Sequence, residues 1–547
     1  MSLLVDLFGY LAIVIHGLVI AAQSVAVGSV LFLVLLARPL GWMLGPADAA
    51  VRAATLRLVR WGALGLVVAE AARLGLDGAV LIGTVELTVA EVATAAFAEA
   101  GLAKILAALL LAVLARPRMP GLLLLALAAA ILAAGTATTH AAARLDNRDI
   151  LLAAAALHQF GAALWIGGIP AFVAALARVD ERAGWRVLGE RFSRISTLGV
   201  ACILLSGGAL SWFFIRDPSG FYGTAYGVMV GAKIGLFLML LALGYGNFRA
   251  VGLLRAGDAG KVVRLRRFAE AEIGIGFSIF FAAASLTSVP PAIDLRADRV
   301  SVQEIIARNT PRLPRLVSPD HDVLTLPALQ AQLDAEAAAN AAKPSPAFVP
   351  GSGEIPPRNA EDIAWSEYNH HWSGLFVVAI GLLALLNRAG FGPARHWPLV
   401  FLGLAAFLFV RSDPEVWPLG QIGFFDSLRD VEVLQHRFFV LLIVVFGLFE
   451  WRVRAFGWRS RGAALVFPLV TAIGGAALLT HSHAIANIKD QLLIELTHTP
   501  LALAGIAAGW ARWLEIRLDP PESRWAGWVW PVCFVLVGAI LLIYREA

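Results

Sequence analysis

The side chains of this chain that could do chemistry are mainly its eleven histidines and the acids beside them. His16 and His158 lie inside apolar runs, His370 and His371 open a further run, His436 opens another, His481 and His483 close one, and His498 lies within the next. Glu367 precedes His370 and His371 by three and four residues, Glu432 precedes His436 by four, and Glu495 precedes His498 by three. These spacings put each acid and its histidine on one helix face. Neutral imidazole is a transition-metal ligand, and a neighbouring carboxylate either joins the coordination or fixes the other ring nitrogen. Two imidazoles on facing helices are equally the axial pair of a b-type haem, with His371, His436, His483 and His498 as the candidates. Glu495-Leu-Thr-His498 and Glu367-Tyr-Asn-His370 also carry the Glu-x-x-His spacing of dimetal bundles, although Glu432 alone offers a further carboxylate. The plain alternative is that imidazoles at helix ends are solvated among lipid headgroups and bind nothing.

The elements that must position these residues follow from composition. The chain is 59% hydrophobic and 15% charged, with a mean hydropathy of +0.75, whereas soluble domains carry about 25% charged residues. An ordinary soluble enzyme is excluded. Apolar runs of spanning length predict an all-α, polytopic transmembrane helical bundle of about fourteen spans, near 7–36, 60–82, 97–115, 120–140, 149–177, 195–215, 226–247, 270–290, 369–387, 397–411, 433–450, 463–481, 491–511 and 527–544. Arginine clusters fall in every second loop, for example Arg116/Arg118, Arg388/Arg395 and Arg512 to Arg524. That alternation predicts both termini outside the cytoplasm, and every histidine except His396 outside or in the outward half of the membrane. The net charge of +5 is accounted for by these clusters, which are not the basic face with interleaved aromatics of a nucleic-acid binder. Residues 1–10 lack a basic signal-peptide start, so the first run is expected to remain as a helix.

Organisation divides the chain into an eight-helix membrane domain, 1–292, an extracytoplasmic linker rich in Pro, Ala and charge, 293–366, and a six-helix, His-rich module, 367–547. His16 and His158 each lie in a run that ends in Ala-Arg, at Arg38 and Arg178; a parallel internal repeat and chance likeness of Ala/Leu-rich helices explain this equally well. Sulfur is scarce: Cys202 and Cys533 are far apart, and the five methionines all fall before residue 240, which disfavours a thioether ladder. Among other polar groups within the runs, Lys104 and Lys233 are expected to neutralise acids across the bundle, and for Glu70 and Lys233 structural ion pairing competes with a proton or ion relay. Glu272, just after an Arg-rich loop, is expected to snorkel to the surface. Asp320-His321-Asp322 in the linker reads as a solvated loop. There is no GxSxG, Walker A or HExxH motif and no Asp-Lys-Thr-Gly phosphorylation site, so the chain has no ATP engine of its own.

A set of ordered motifs goes further: Leu157-His-Gln-Phe-Gly-Ala-Ala-Leu-Trp-Ile-Gly-Gly168, Arg191-Phe-Ser-Arg194, Gly223-Thr-Ala-Tyr-Gly227 with Lys233, and Glu272 through Leu286-Thr-Ser-Val-Pro-Pro291. Here the sequence resembles the CopD family of bacterial copper-handling membrane proteins, well over about 140–292 and loosely over the first four helices. The resemblance implies a protein of the bacterial cytoplasmic membrane that moves copper ions, a transporter rather than an enzyme, with a periplasmic copper chaperone as a natural partner. In that setting His16 and His158 are expected to meet across the bundle as a copper way-station. The outward residues His370, His371, His436, His481, His483, His498, Glu367, Glu432 and Glu495 would then collect Cu(II). The rival is a haem b membrane oxidoreductase whose second half carries electrons.

Overall fold

The computed structural model describes residues 2–179, 182–255, 261–296, 299–319, 360–428, 431–457, 460, 462–480 and 488–545. Among them the fold is all-α, with one isolated bridge, Val416 to Ile422, and no strand. Two compact units are formed, Met1–Arg299 with Ala476–His483, and Val300–Gly475 with Ala484–Ala547. The first holds α1 (Ser2–Phe32), α2 (Asp48–Val85), α3 (Ala96–Leu114), α4 (Gly121–Thr136), α5 (Arg148–Trp165), α6 (Arg182–Phe214), α7 (Ala225–Arg255) and α8 (Lys261–Leu286). Next come α9 (Ala360–Arg388), α10 (Val400–Arg411), α11 (Val431–Ala455), α12 (Val466–Leu478), α13 (Ile488–Arg517) and α14 (Glu522–Leu542). Each apolar run read from the sequence overlaps one of these helices, the run at 149–177 continuing past α5 and the run at 397–411 opening in the 3-10 stretch Gly392–Leu399. Among the described residues, nine helical stretches are long and apolar enough to cross a membrane, and Gly121–Thr136 and Ala463–Leu478 are shorter apolar helices.

In the first unit α1 is central, packed on α2, α5 and α8. Lipid offers no hydrophobic drive for helix association, so close backbone approach has to supply it. Gly28 of α1 sits so near Gly167 and the Ala163 carbonyl that a Cβ on it would collide with both, and Gly161 of α5 meets Gly199 of α6 in the same way. After Trp165, α5 tightens into a 3-10 turn, Ile166–Gly168, before resuming as Ile169–Leu176. Trp165 is thereby turned edge-on to Phe237 of α7, with 5.8 Å between ring centroids.

Several of the polar groups inside this unit are partnered. Glu70 is fully buried, 2.6 Å from Arg73 and 3.1 Å from the buried Lys104, the ion pairing the sequence suggests. Glu272 departs from expectation: it is 3% exposed and does not snorkel, because Asn247 of α7 and the Trp165 indole both donate to it inside the bundle. Asp217 sits in a connecting loop, where it accepts from Arg299 (2.6 Å), the Ser219 hydroxyl (2.5 Å) and the Gly220 amide (2.9 Å).

In the second unit α9 pairs with α14, and α14 with α13. Trp397, Phe401, Phe467 and Trp530 form its aromatic core, with the Arg454 guanidinium over Trp397 and Trp530 at 5.3 and 5.4 Å. Glu515 accepts from Arg388, Arg512 and the Trp530 indole.

Two outcomes follow from the buried and loop ion pairs. Lys104→Met takes one of its two cations from the buried Glu70 carboxylate and should cost about 1.5–3 kcal/mol, whereas Glu70→Gln with Lys104→Met should recover part of that loss. Thermal unfolding in detergent reads both, and equal losses would contradict the account. The Arg299 and Ser219 hydrogen bonds hold the Asp217 carboxyl below its ordinary value of 3.8. Its contribution to stability is therefore complete above that value and lost as pH falls through the lower, folded one. Arg299→Ala should reduce this acid sensitivity of the loop, leaving the part due to the Ser219 and Gly220 hydrogen bonds, measured by proteolysis across an acid series.

Candidate functional site

His16 faces α2 and α3. Glu70, Arg73, Lys104 and also His140 lie within its electrostatic reach, and its Nδ1 is buried with no hydrogen-bond partner. His140 opens the short helix His140–Ala143, edge-on to Phe214 at 6.5 Å between centroids. The Thr287 and Leu286 backbone carbonyls lie close to its ring, and Nε2 is buried with no hydrogen bond. A buried imidazole nitrogen left without a hydrogen bond is available to a metal ion. Sequence reading assigned no role to His140; its place at the outward end of the fourth apolar run was the available signal.

His158 has other neighbours. Its Nδ1 is 3.0 Å from the Ser206 hydroxyl, which itself donates to the Cys202 carbonyl at 2.5 Å. The hydroxyl is left to accept, so Nδ1 carries the proton and Nε2 the lone pair. Lys233 of α7 is the charge nearest this ring. The expected meeting of His16 and His158 is not among the contacts described. Between α1 and α5 the polar link is Gln23 to Gln159 at 2.8 Å, continued to Thr136 of α4 at 3.3 Å. Successive residues on a helix point in different directions, so Gln159 facing α1 leaves His158 to α6 and α7.

In the second unit three of the described imidazoles, His370, His371 and His498, gather around Tyr544. The rings of His370 and His498 are perpendicular with centroids 6.4 Å apart, and Tyr544 stacks on His370 at 3.9 Å and meets His498 at 6.0 Å. His370 Nδ1 lies 2.8 Å from the Ser366 carbonyl. Buried His371 uses both nitrogens: Nδ1 accepts from the Arg315 amide at 2.7 Å and Nε2 donates to the Tyr544 carbonyl at 2.8 Å. A cavity of about 390 Å³ beside it is lined by Arg312, Arg315, Glu367, His371, Tyr544 and Arg545. Glu367 faces Arg315 at 3.6 Å, and Glu495 is buried. His436 pairs with Asp413 at 2.6 Å, a loop partner that helical spacing does not reveal. His396 accepts from the Trp451 indole at 2.9 Å. His481, His483 and the Glu432 side chain lie outside the described residues, as does Asp320-His321-Asp322. Among the described residues no three His, Cys, Asp or Glu side chains form a group able to hold a metal ion.

The tail contact is directly testable. His371→Ala removes two hydrogen bonds, one from the Arg315 amide and one to the Tyr544 carbonyl, at about 0.5–1.5 kcal/mol each. Hydrogen exchange should then rise in 312–317 and 541–545 while the rest of α9 stays protected; unchanged exchange would show that the ring does not fasten the tail.

Residues 186–286 match the family described as copper resistance protein D, CopD. Over 164 residues the chain is 31% identical to the copper transport protein CutJ of Bacillus subtilis (strain 168), an alignment covering 29% of each chain. Less than a third of that relative's length is therefore represented. No solved structure matches the chain. The matched segment holds nearly all of α6 and the whole of α7 and α8, and with them Ser206 beside His158, Lys233, and the Asn247–Glu272 pair, so it is in these helices that the likeness to the CopD family, which the sequence motifs imply, resides.

Proposed function

We propose that this protein moves copper ions across the cytoplasmic membrane of a bacterium, with the first unit as the route. The observation that carries the reading is the pair of buried, unpartnered imidazole nitrogens, His16 Nδ1 and His140 Nε2, in the unit whose last three helices match CopD. Two nitrogens make an incomplete coordination shell for copper. The nearby Glu70 is neutralised by Arg73 and Lys104, so no fixed negative charge holds the ion. Such a site favours passage over storage, as conduction requires binding that is also easily undone. His158 Nε2 offers the next lone pair on the far side of α5. In the second unit His370, His498 and the His436–Asp413 pair are the outward residues that collect copper, with a periplasmic copper chaperone as donor. The likeness to CutJ, whose description is copper transport, supports the same ion.

His16→Ala with His140→Ala should lower copper accumulation by cells about tenfold to a hundredfold relative to wild type at equal protein level. Unchanged accumulation would sink the route. Elemental analysis of the purified protein should find copper, and its visible spectrum should lack reducible Soret and alpha bands; such bands would instead identify haem between imidazoles of the second unit.

A further inference from the structure

One buried carboxylate of the first unit has no counter-ion among the described residues. Glu272 is 3% exposed, about three turns into α8 from Lys261. Among the described residues no cation lies within ion-pair distance of it. Arg266 and Arg267 on its own helix bind Glu270. On α7, Lys233 is 14 residues before Asn247 and lies by His158, roughly 21 Å along the helix. On α1, His16 belongs to the Glu70 cluster. On the stretch that continues α5, Arg178 donates to the Ala174 carbonyl at 2.6 Å.

A lone carboxylate in hydrocarbon is costly enough that something must neutralise it. A metal ion would need a cage of several oxygens, but the partners of Glu272 are two N–H donors, Asn247 Nδ2 at 2.5 Å and the Trp165 indole. The oxygen of the Asn247 amide, Oδ1, is buried and accepts nothing. A carboxylic O–H is the donor that this oxygen lacks, and an acid facing an amide can give and receive one hydrogen bond each.

We propose that Glu272 is a proton-binding site, and that its gain and loss of a proton is coupled to ion movement through the first unit. Trp165 provides the connection: it ends α5 seven residues after His158, on the same helix face, and its indole bonds the carboxyl directly. Loss of the proton places a full charge beside the 3-10 turn of α5, which biases the helix that carries His158. The coupling rests on the copper reading above; the proton site does not.

The test uses the full-length protein in lipid vesicles. The infrared spectrum of the wild type at neutral pH should show a carboxylic-acid carbonyl band that is absent in Glu272→Gln, unmoved by sodium, and shifted in Asn247→Leu, which keeps the acid but removes its partner. Absence of the band, or its displacement by sodium, overturns the proton site whatever the protein transports. Copper entry into wild-type vesicles should change by about tenfold per unit of imposed pH difference, one proton's worth, and Glu272→Gln should lose that response. A response retained in Glu272→Gln overturns the coupling. Wild-type vesicles that move no copper under any gradient overturn the transport reading and the coupling with it, while the infrared band is judged separately.

Discussion

A charge or polar group inside hydrocarbon has to be answered from within the protein, because lipid offers neither hydrogen bonds nor dielectric screening. That constraint orders the first unit. Glu70 is answered twice, by Arg73 and Lys104, and the three together form a fixed strut between α2 and α3. Gln23, Gln159 and Thr136 answer one another across three helices. Where the answer is missing, at His16, His140 and Asn247, the bundle keeps groups able to take up something that is not permanently there.

The second unit uses its polar groups differently. Its arginines lie over aromatic rings and against Glu515 and Glu450, and the histidine at its centre is committed to backbone at both nitrogens. Two of its imidazoles share the neighbourhood of Tyr544, so the described histidines divide between those that fasten the fold and those that present a ring to their neighbours.

Much of the fold could be read from the sequence, because the length of an apolar run and the placement of arginine report directly on the bilayer. The long apolar helices came from that signal, and so did the Glu70 ion pair, since an acid within a span demands a base. The site was less legible. Helical spacing tied His436 to Glu432, whose side chain lies outside the described residues, and it could not show that Asp413, distant in sequence, also reaches the ring. His140 carries no neighbouring acid that would single it out. Glu272 looked free to reach the surface because its own helix begins with arginines; the two donors that hold it inside belong to other helices.

The meeting of Gly28 with Gly167 has a mechanical consequence. Side chains at an ordinary helix crossing can change rotamer to let one helix slide along its neighbour, but here bare backbone lies against bare backbone, with nothing to rearrange. The joint between α1 and α5 therefore behaves as a pivot: the two helices can rock about it, and a small tilt there is magnified toward their far ends.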